Sequence, residues 1–168
     1  MPDWPIHLIV PLLALLIVSK KENQKYILLL LPLAVISDFD TFVTQHRALL
    51  HNIFIPLLLL LSGLLIKKER PLFIIASVYI ASHVLLDMFG GGVVLLYPLY
   101  NGMAFIDASL AMSQKNDLLW TFDYGFRHYD KGWETAYGYI SDSTGTGAMV
   151  FVFLAGVCAA YRNRLRAI

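Results

Sequence analysis

The chain reads as an all-α polytopic membrane helix bundle of about five transmembrane helices, with the N-terminus outside and the C-terminus cytoplasmic. Composition is the first reason: 58% of its 168 residues are hydrophobic and 15% charged, against about 45–50% and about 25% in soluble domains. Mean hydropathy is +0.64. The second reason is five apolar runs, at residues 5–18, 26–37, 49–66, 72–89 and 147–161. The third is charge placement. Lys20, Lys21, Lys25, Lys67, Lys68, Arg70, Arg162, Arg164 and Arg166, nine of the thirteen basic residues, fall after runs one, three and five. The positive-inside rule makes that side cytoplasmic.

Runs three and four are long enough for the roughly 20 residues a span needs. The first, second and fifth span only with their flanks counted or in a locally thin bilayer. Pro11, Pro32 and Pro56 interrupt the runs, which neighbouring helices can accommodate. Nothing before Trp4 resembles a basic signal-peptide n-region, so the first helix is expected to be retained. Three units follow: a four-helix membrane domain at 1–99, an aromatic-rich outer interfacial region at 100–146, and a fifth helix with a basic tail at 147–168. The middle unit carries Trp120, Phe122, Tyr124, Phe126, Tyr129, Trp133, Tyr137 and Tyr139, a composition suited to a headgroup layer. Net charge of +1 gives no case for nucleic acid. The lone Cys158 excludes both an intrachain disulfide and a cysteine-based zinc site.

The connection 37–52, SDFDTFVTQHRALLHN, holds Asp38, Asp40, His46, Arg47 and His51. Carboxylates and imidazoles are the side chains that bind divalent metals and move protons. His83 and Asp87 stand four apart on one helical face, and the predicted topology brings both, with His7, to the same outer depth. Taken singly, each has a bland reading: a solvated helix end for Asp38 and Asp40, a polar helix-packing pair for His83 and Asp87, a structural interfacial residue for His7. Their convergence favours a metal. The expected set is His7, Asp38, Asp40, His46, His51, His83 and Asp87, with His51, His83 and Asp87 as first-choice ligands. Zinc suits this set best, manganese or iron also fit a mixed nitrogen and oxygen shell, and seven donors leave room for one or two ions. Asp38 or Asp40 would serve as general base, and Arg47 would hold a substrate anion bidentately.

The order His7, Ser37-Asp38-Phe39-Asp40, His46-Arg47 and His51, then Ser82-His83 and Asp87 followed by glycines and Leu96-Tyr97-Pro98 resembles the family of membrane-bound metal-dependent hydrolases. That family's pattern is an early His, a D-x-D, an H-R-G-x-T-H-S box, and an S-H-x3-D with a Gly-containing stretch and a Pro. The resemblance covers about residues 5–98. Ala48, Leu50 and Asn52 replace the Gly, Thr and Ser of the box, and Phe89 and Gly90 stand near the place of a further Thr. The resemblance implies a hydrolase and names no substrate. The expected activity is hydrolysis of a phospholipid or other lipid-linked phosphoester at the extracellular or periplasmic surface of the cell membrane, with membrane lipids as partners. The alternative is a non-catalytic protein that binds or transports divalent metal, and a third reading is a scaffold with a structural cluster. Transport is disfavoured by the Leu, Ile and Val that fill the inner halves of runs one, three and four.

Overall fold

The computed structural model describes residues 4–42, 47–112 and 117–129. His46, the fifth apolar run and the basic tail lie outside those residues.

Helix α1 (Trp4–Val18) is apolar apart from His7. Pro11 within it has no N–H to offer the His7 carbonyl four residues earlier. A 3₁₀ turn at Lys21–Asn23 leads into the short α2 (Gln24–Leu29). The second apolar run was expected to be one helix, but α-helix stops there. Pro32 cannot donate to Leu28 and disfavours helical geometry at Leu31, so the chain continues as 3₁₀ turns at Leu31–Ala34 and Ile36–Phe42. Those tight turns carry Asp38 and Asp40 inward instead of leaving them on a helix end.

Helix α3 (Phe54–Leu65) starts where Asn52 Oδ1 accepts hydrogen bonds from the N–H groups of Phe54 and Ile55, at 2.9 and 3.1 Å. This side-chain cap satisfies donors that have no partner inside the helix. After a 3₁₀ turn at Lys67–Glu69, α4 (Arg70–Phe89) runs for 20 residues, with Pro71 in its first turn. The two helices pack closely at Gly63, where a Cβ would lie 3.0 Å from Phe73 Cβ. Ser77 Oγ also donates to the Pro56 carbonyl at 2.7 Å. Leu12, Leu15, Ile27, Ala34, Ile75 and Tyr79 form the core between α1, α2 and α4, and Tyr79 donates to the Ile27 carbonyl at 2.8 Å.

The all-α expectation is wrong for residues 102–112 and 118–128. Strands β1 (Gly102–Met112) and β2 (Leu118–His128) form an antiparallel hairpin, in register from Gly102↔His128 to Met112↔Leu118. In β2, Trp120, Phe122, Tyr124 and Phe126 alternate with Thr121, Asp123, Gly125 and Arg127. A period of two places alternate residues on opposite faces of a strand, and aromatic residues favour strands. The five-span bundle also fails on length. Among the described residues only Lys67–Phe89 is long and apolar enough to cross a membrane, whereas α1 has 15 residues and α3 has 12. The inside–outside alternation inferred from five spans falls with it.

Residues 90–95 turn back from α4 and bind on both sides. Val94 N–H donates to the Arg47 carbonyl and Ile53 N–H to the Leu95 carbonyl, each at 2.9 Å. On the other side, Val93 and Ala104 exchange hydrogen bonds of 2.9 and 2.8 Å. Gly92 makes this approach feasible: its φ is +100°, and a Cβ there would sit 2.8 Å from the Ala104 carbonyl oxygen.

Candidate metal centre

Four elements deliver the polar side chains to one point. The last turns of α4 supply His83 and Asp87, the 3₁₀ turn Ile36–Phe42 supplies Asp38 and Asp40, the stretch before α3 supplies His51, and the first turns of α1 supply His7. His7, Asp40, His51, His83 and Asp87 are all buried, in a chain whose other large side chains are mainly hydrocarbon.

Asp38, His51, His83 and Asp87 each offer one donor atom, all within 4.8 Å of one another, and together they could hold a metal ion. His51 Nε2 lies 3.2 Å from His83 Nε2, 3.0 Å from Asp87 Oδ2 and 3.8 Å from Asp38 Oδ1. His83 Nε2 lies 3.4 Å from Asp38 Oδ1 and 3.5 Å from Asp87 Oδ2. An ion with bonds of about 2.0–2.1 Å needs tetrahedral donor–donor edges of about 3.3 Å. These five edges scatter around that length.

The outer nitrogens of both rings are already committed. His83 Nδ1 is 2.7 Å from the Ala34 carbonyl, which can only accept, so this nitrogen carries the proton. His51 Nδ1 is 2.8 Å from Asp40 Oδ2, a carboxylate that accepts a hydrogen bond from the ring N–H in the same way. In the neutral rings both Nε2 atoms therefore turn lone pairs toward each other and toward carboxylate oxygens, and a protonated ring donates from Nε2 to those same oxygens. Asp87 Oδ2 is buried without a hydrogen bond of acceptable geometry, although imidazole nitrogens stand 3.0 and 3.5 Å away. Acceptors facing acceptors in a buried site require a cation between them, either a proton or a metal ion.

The titration of the surrounding groups follows from this crowding. Burial pulls the His51 imidazole down, but the carboxylates of Asp38, Asp40 and Asp87 outweigh it and raise the group to about 10. Burial pushes Asp38 up, and hydrogen bonds from His51 and His83 more than offset it, holding the carboxyl well below the usual range.

His7 stacks on His83, ring centroids 4.0 Å apart, and its Nε2 is 3.5 Å from Asp87 Oδ1. Arg47 is buried with φ +67°, and its guanidinium donates to the carbonyls of Gly92 and Gly90 at 3.0 and 3.2 Å. One of its nitrogens lies 3.9 Å from Asp87 Oδ1. Of the donor residues named from sequence, the structure thus gathers His7, Asp38, Asp40, His51, His83 and Asp87, while His46 lies outside the described residues. Sequence reasoning missed the Ala34 carbonyl and the glycine carbonyls, since backbone acceptors carry no residue-type signature. No family model, curated protein or solved structure matches this chain.

Proposed function

We propose that this chain is a metal-dependent hydrolase acting on a lipid-linked phosphoester at a membrane surface, with zinc held by His51, His83 and Asp87. The observation that carries the metal is the pair of Nε2 atoms 3.2 Å apart, each ring having its Nδ1 committed elsewhere. Zinc suits two imidazoles and carboxylates at near-tetrahedral edges. When bound, such an ion lowers the pKa of water and polarises a phosphoryl oxygen.

Asp38 has a different part. Its side chain is 16% exposed, against 0–3% for the other three donors, so the approach to the cluster runs past it. With both Nε2 atoms given over to an ion, the hydrogen bonds that hold Asp38 low would be gone, and its carboxylate is left to accept the proton of an attacking water. Asp40 holds the His51 ring and its tautomer, and the Ala34 carbonyl does the same for His83. A membrane setting is supported by outward stripes of apolar side chains: Ile6, Val10, Leu13 and Ile17 on α1, and Leu57, Leu58, Leu61, Leu64 and Leu65 on α3.

Elemental mass spectrometry of the purified protein, beside His83→Ala and Asp87→Ala, tests the centre. One equivalent of metal in the parent, lost in the folded variants, is expected. Hydrolysis of a lipid phosphodiester in mixed micelles by the parent alone then tests the reaction. No stoichiometric metal after reconstitution with zinc and with manganese overturns the proposal.

A non-catalytic metal site is the second reading, favoured by four protein donors converging in a mostly buried place, as closed structural sites do. Asp38→Asn separates the two. The hydrolase reading expects metal retained and turnover lost, whereas a closed site expects metal lost with the carboxylate.

A further inference from the structure

We infer that Arg47 is a positioning residue for the metal centre, which sets the Asp87 carboxylate through the triple glycine at the end of α4. The inference rests on the metal reading above. Asp87 lies in the last turn of α4, where the helix dipole disfavours negative charge. It also presents Oδ2 to His51 and His83 while Oδ1 faces His7 and Arg47.

A closed ring of contacts meets both demands. The Asp87 carbonyl accepts from the N–H groups of Gly90 and Gly92, at 3.1 and 2.9 Å. The carbonyls of those two glycines accept from Arg47. The same guanidinium stands 3.9 Å from Asp87 Oδ1, the oxygen that His7 also approaches. One planar cation thus binds the backbone leaving Asp87 and faces the Oδ1 oxygen of its side chain.

Residue identities around the ring fit this role. Gly91 has φ +123°, and a Cβ there would lie 2.9 Å from an Arg47 nitrogen, so a side chain at 91 would push the guanidinium off its seat. On the far side, Arg127 of β2 donates to the Gly91 carbonyl at 2.6 Å. Two arginines therefore hold three successive glycine carbonyls, and the hairpin buttresses the loop that Arg47 grips. The backbone of Arg47 is pinned as well, its carbonyl accepting from Val94.

The test is cobalt(II) binding, read as affinity and as the visible spectrum of the bound ion, in the parent and in Arg47→Lys, Arg47→Met and Arg47→Gly. Circular dichroism reports folding. The Lys variant keeps a charge and most of the stem, and the Gly variant accommodates the positive φ. Folded variants are expected to bind cobalt about 10–100-fold more weakly, in the range for residues that orient metal ligands, with displaced visible bands. Added guanidinium ion should restore part of the affinity of Arg47→Gly. A residue that only holds the fold together would lower the melting temperature and leave the bands in place. A folded Arg47→Met protein with parental spectrum and affinity overturns the inference alone. A parent that takes up no cobalt overturns the metal reading and this inference with it.

Discussion

Replacing Asp40 by Asn tests how the centre is tuned while leaving every donor to the ion in place. Asp40 Oδ2 is 2.8 Å from His51 Nδ1 and both groups are buried, while Leu50 N–H approaches the same oxygen at 3.5 Å. Two donors facing that oxygen keep the amide oxygen of the substituted side chain in its place, so the ring tautomer survives while the charge is lost. A hydrogen bond to a charged group contributes about 1.5–3 kcal/mol and a neutral one about 0.5–1.5. The difference, about 1–2 kcal/mol, corresponds to metal binding weakened about five- to thirtyfold.

The pH dependence should move in the same direction. The folded value for His51 is raised from 6.5 to about 10, so its proton stabilises the metal-free fold fully below pH 6.5. That contribution is lost as pH rises through about 10. Metal must displace this proton, so affinity should climb by at least about tenfold per pH unit across that window and level off above it. In Asp40→Asn the levelling should come at lower pH. Chelator competition followed across pH measures both quantities. An Asp40→Asn protein that folds and matches the parent within twofold at every pH would refute the carboxylate's tuning role.

Three further outcomes are expected. Chelator should lower the melting temperature of the metal-loaded parent, by the equivalent of about 3 kcal/mol when free metal had stood at a hundred times its dissociation constant, and should leave His83→Ala unmoved in a thermal melt. Tyr79→Phe removes the hydrogen bond to the Ile27 carbonyl and should destabilise the core by about 1 kcal/mol, with metal stoichiometry by elemental analysis unchanged. Gly92→Ala places a Cβ 2.8 Å from the Ala104 carbonyl at φ +100°; it should destabilise by about 1–3 kcal/mol, and denaturant titration should show it to be worse than Ala at any exposed position.

The hairpin shows why residue composition alone misled. The alternation from Trp120 to Phe126 was present in the sequence, but aromatic content also fits a segment lying in a headgroup layer. Only pairing with Gly102–Met112 shows the segment to be a strand. Pro32 was likewise visible, and its tolerance inside a span depends on neighbours that no sequence states. Here its missing N–H and restricted predecessor end α2 and produce the 3₁₀ turns.

By itself the sequence determined which chemistry is available: carboxylates and imidazoles in a hydrocarbon-rich chain, with His83 and Asp87 locked to one face by helical periodicity. That much is local, because spacing along a helix dictates side-chain direction. Tertiary structure alone decided which nitrogen of each ring faces inward, since Ala34 and Asp40 claim the other nitrogen from 49 and 11 residues away. It also decided where Arg47 points. Its acceptors are glycine carbonyls 43 and 45 residues distant, and a backbone carbonyl looks alike in every sequence until the fold brings it within reach.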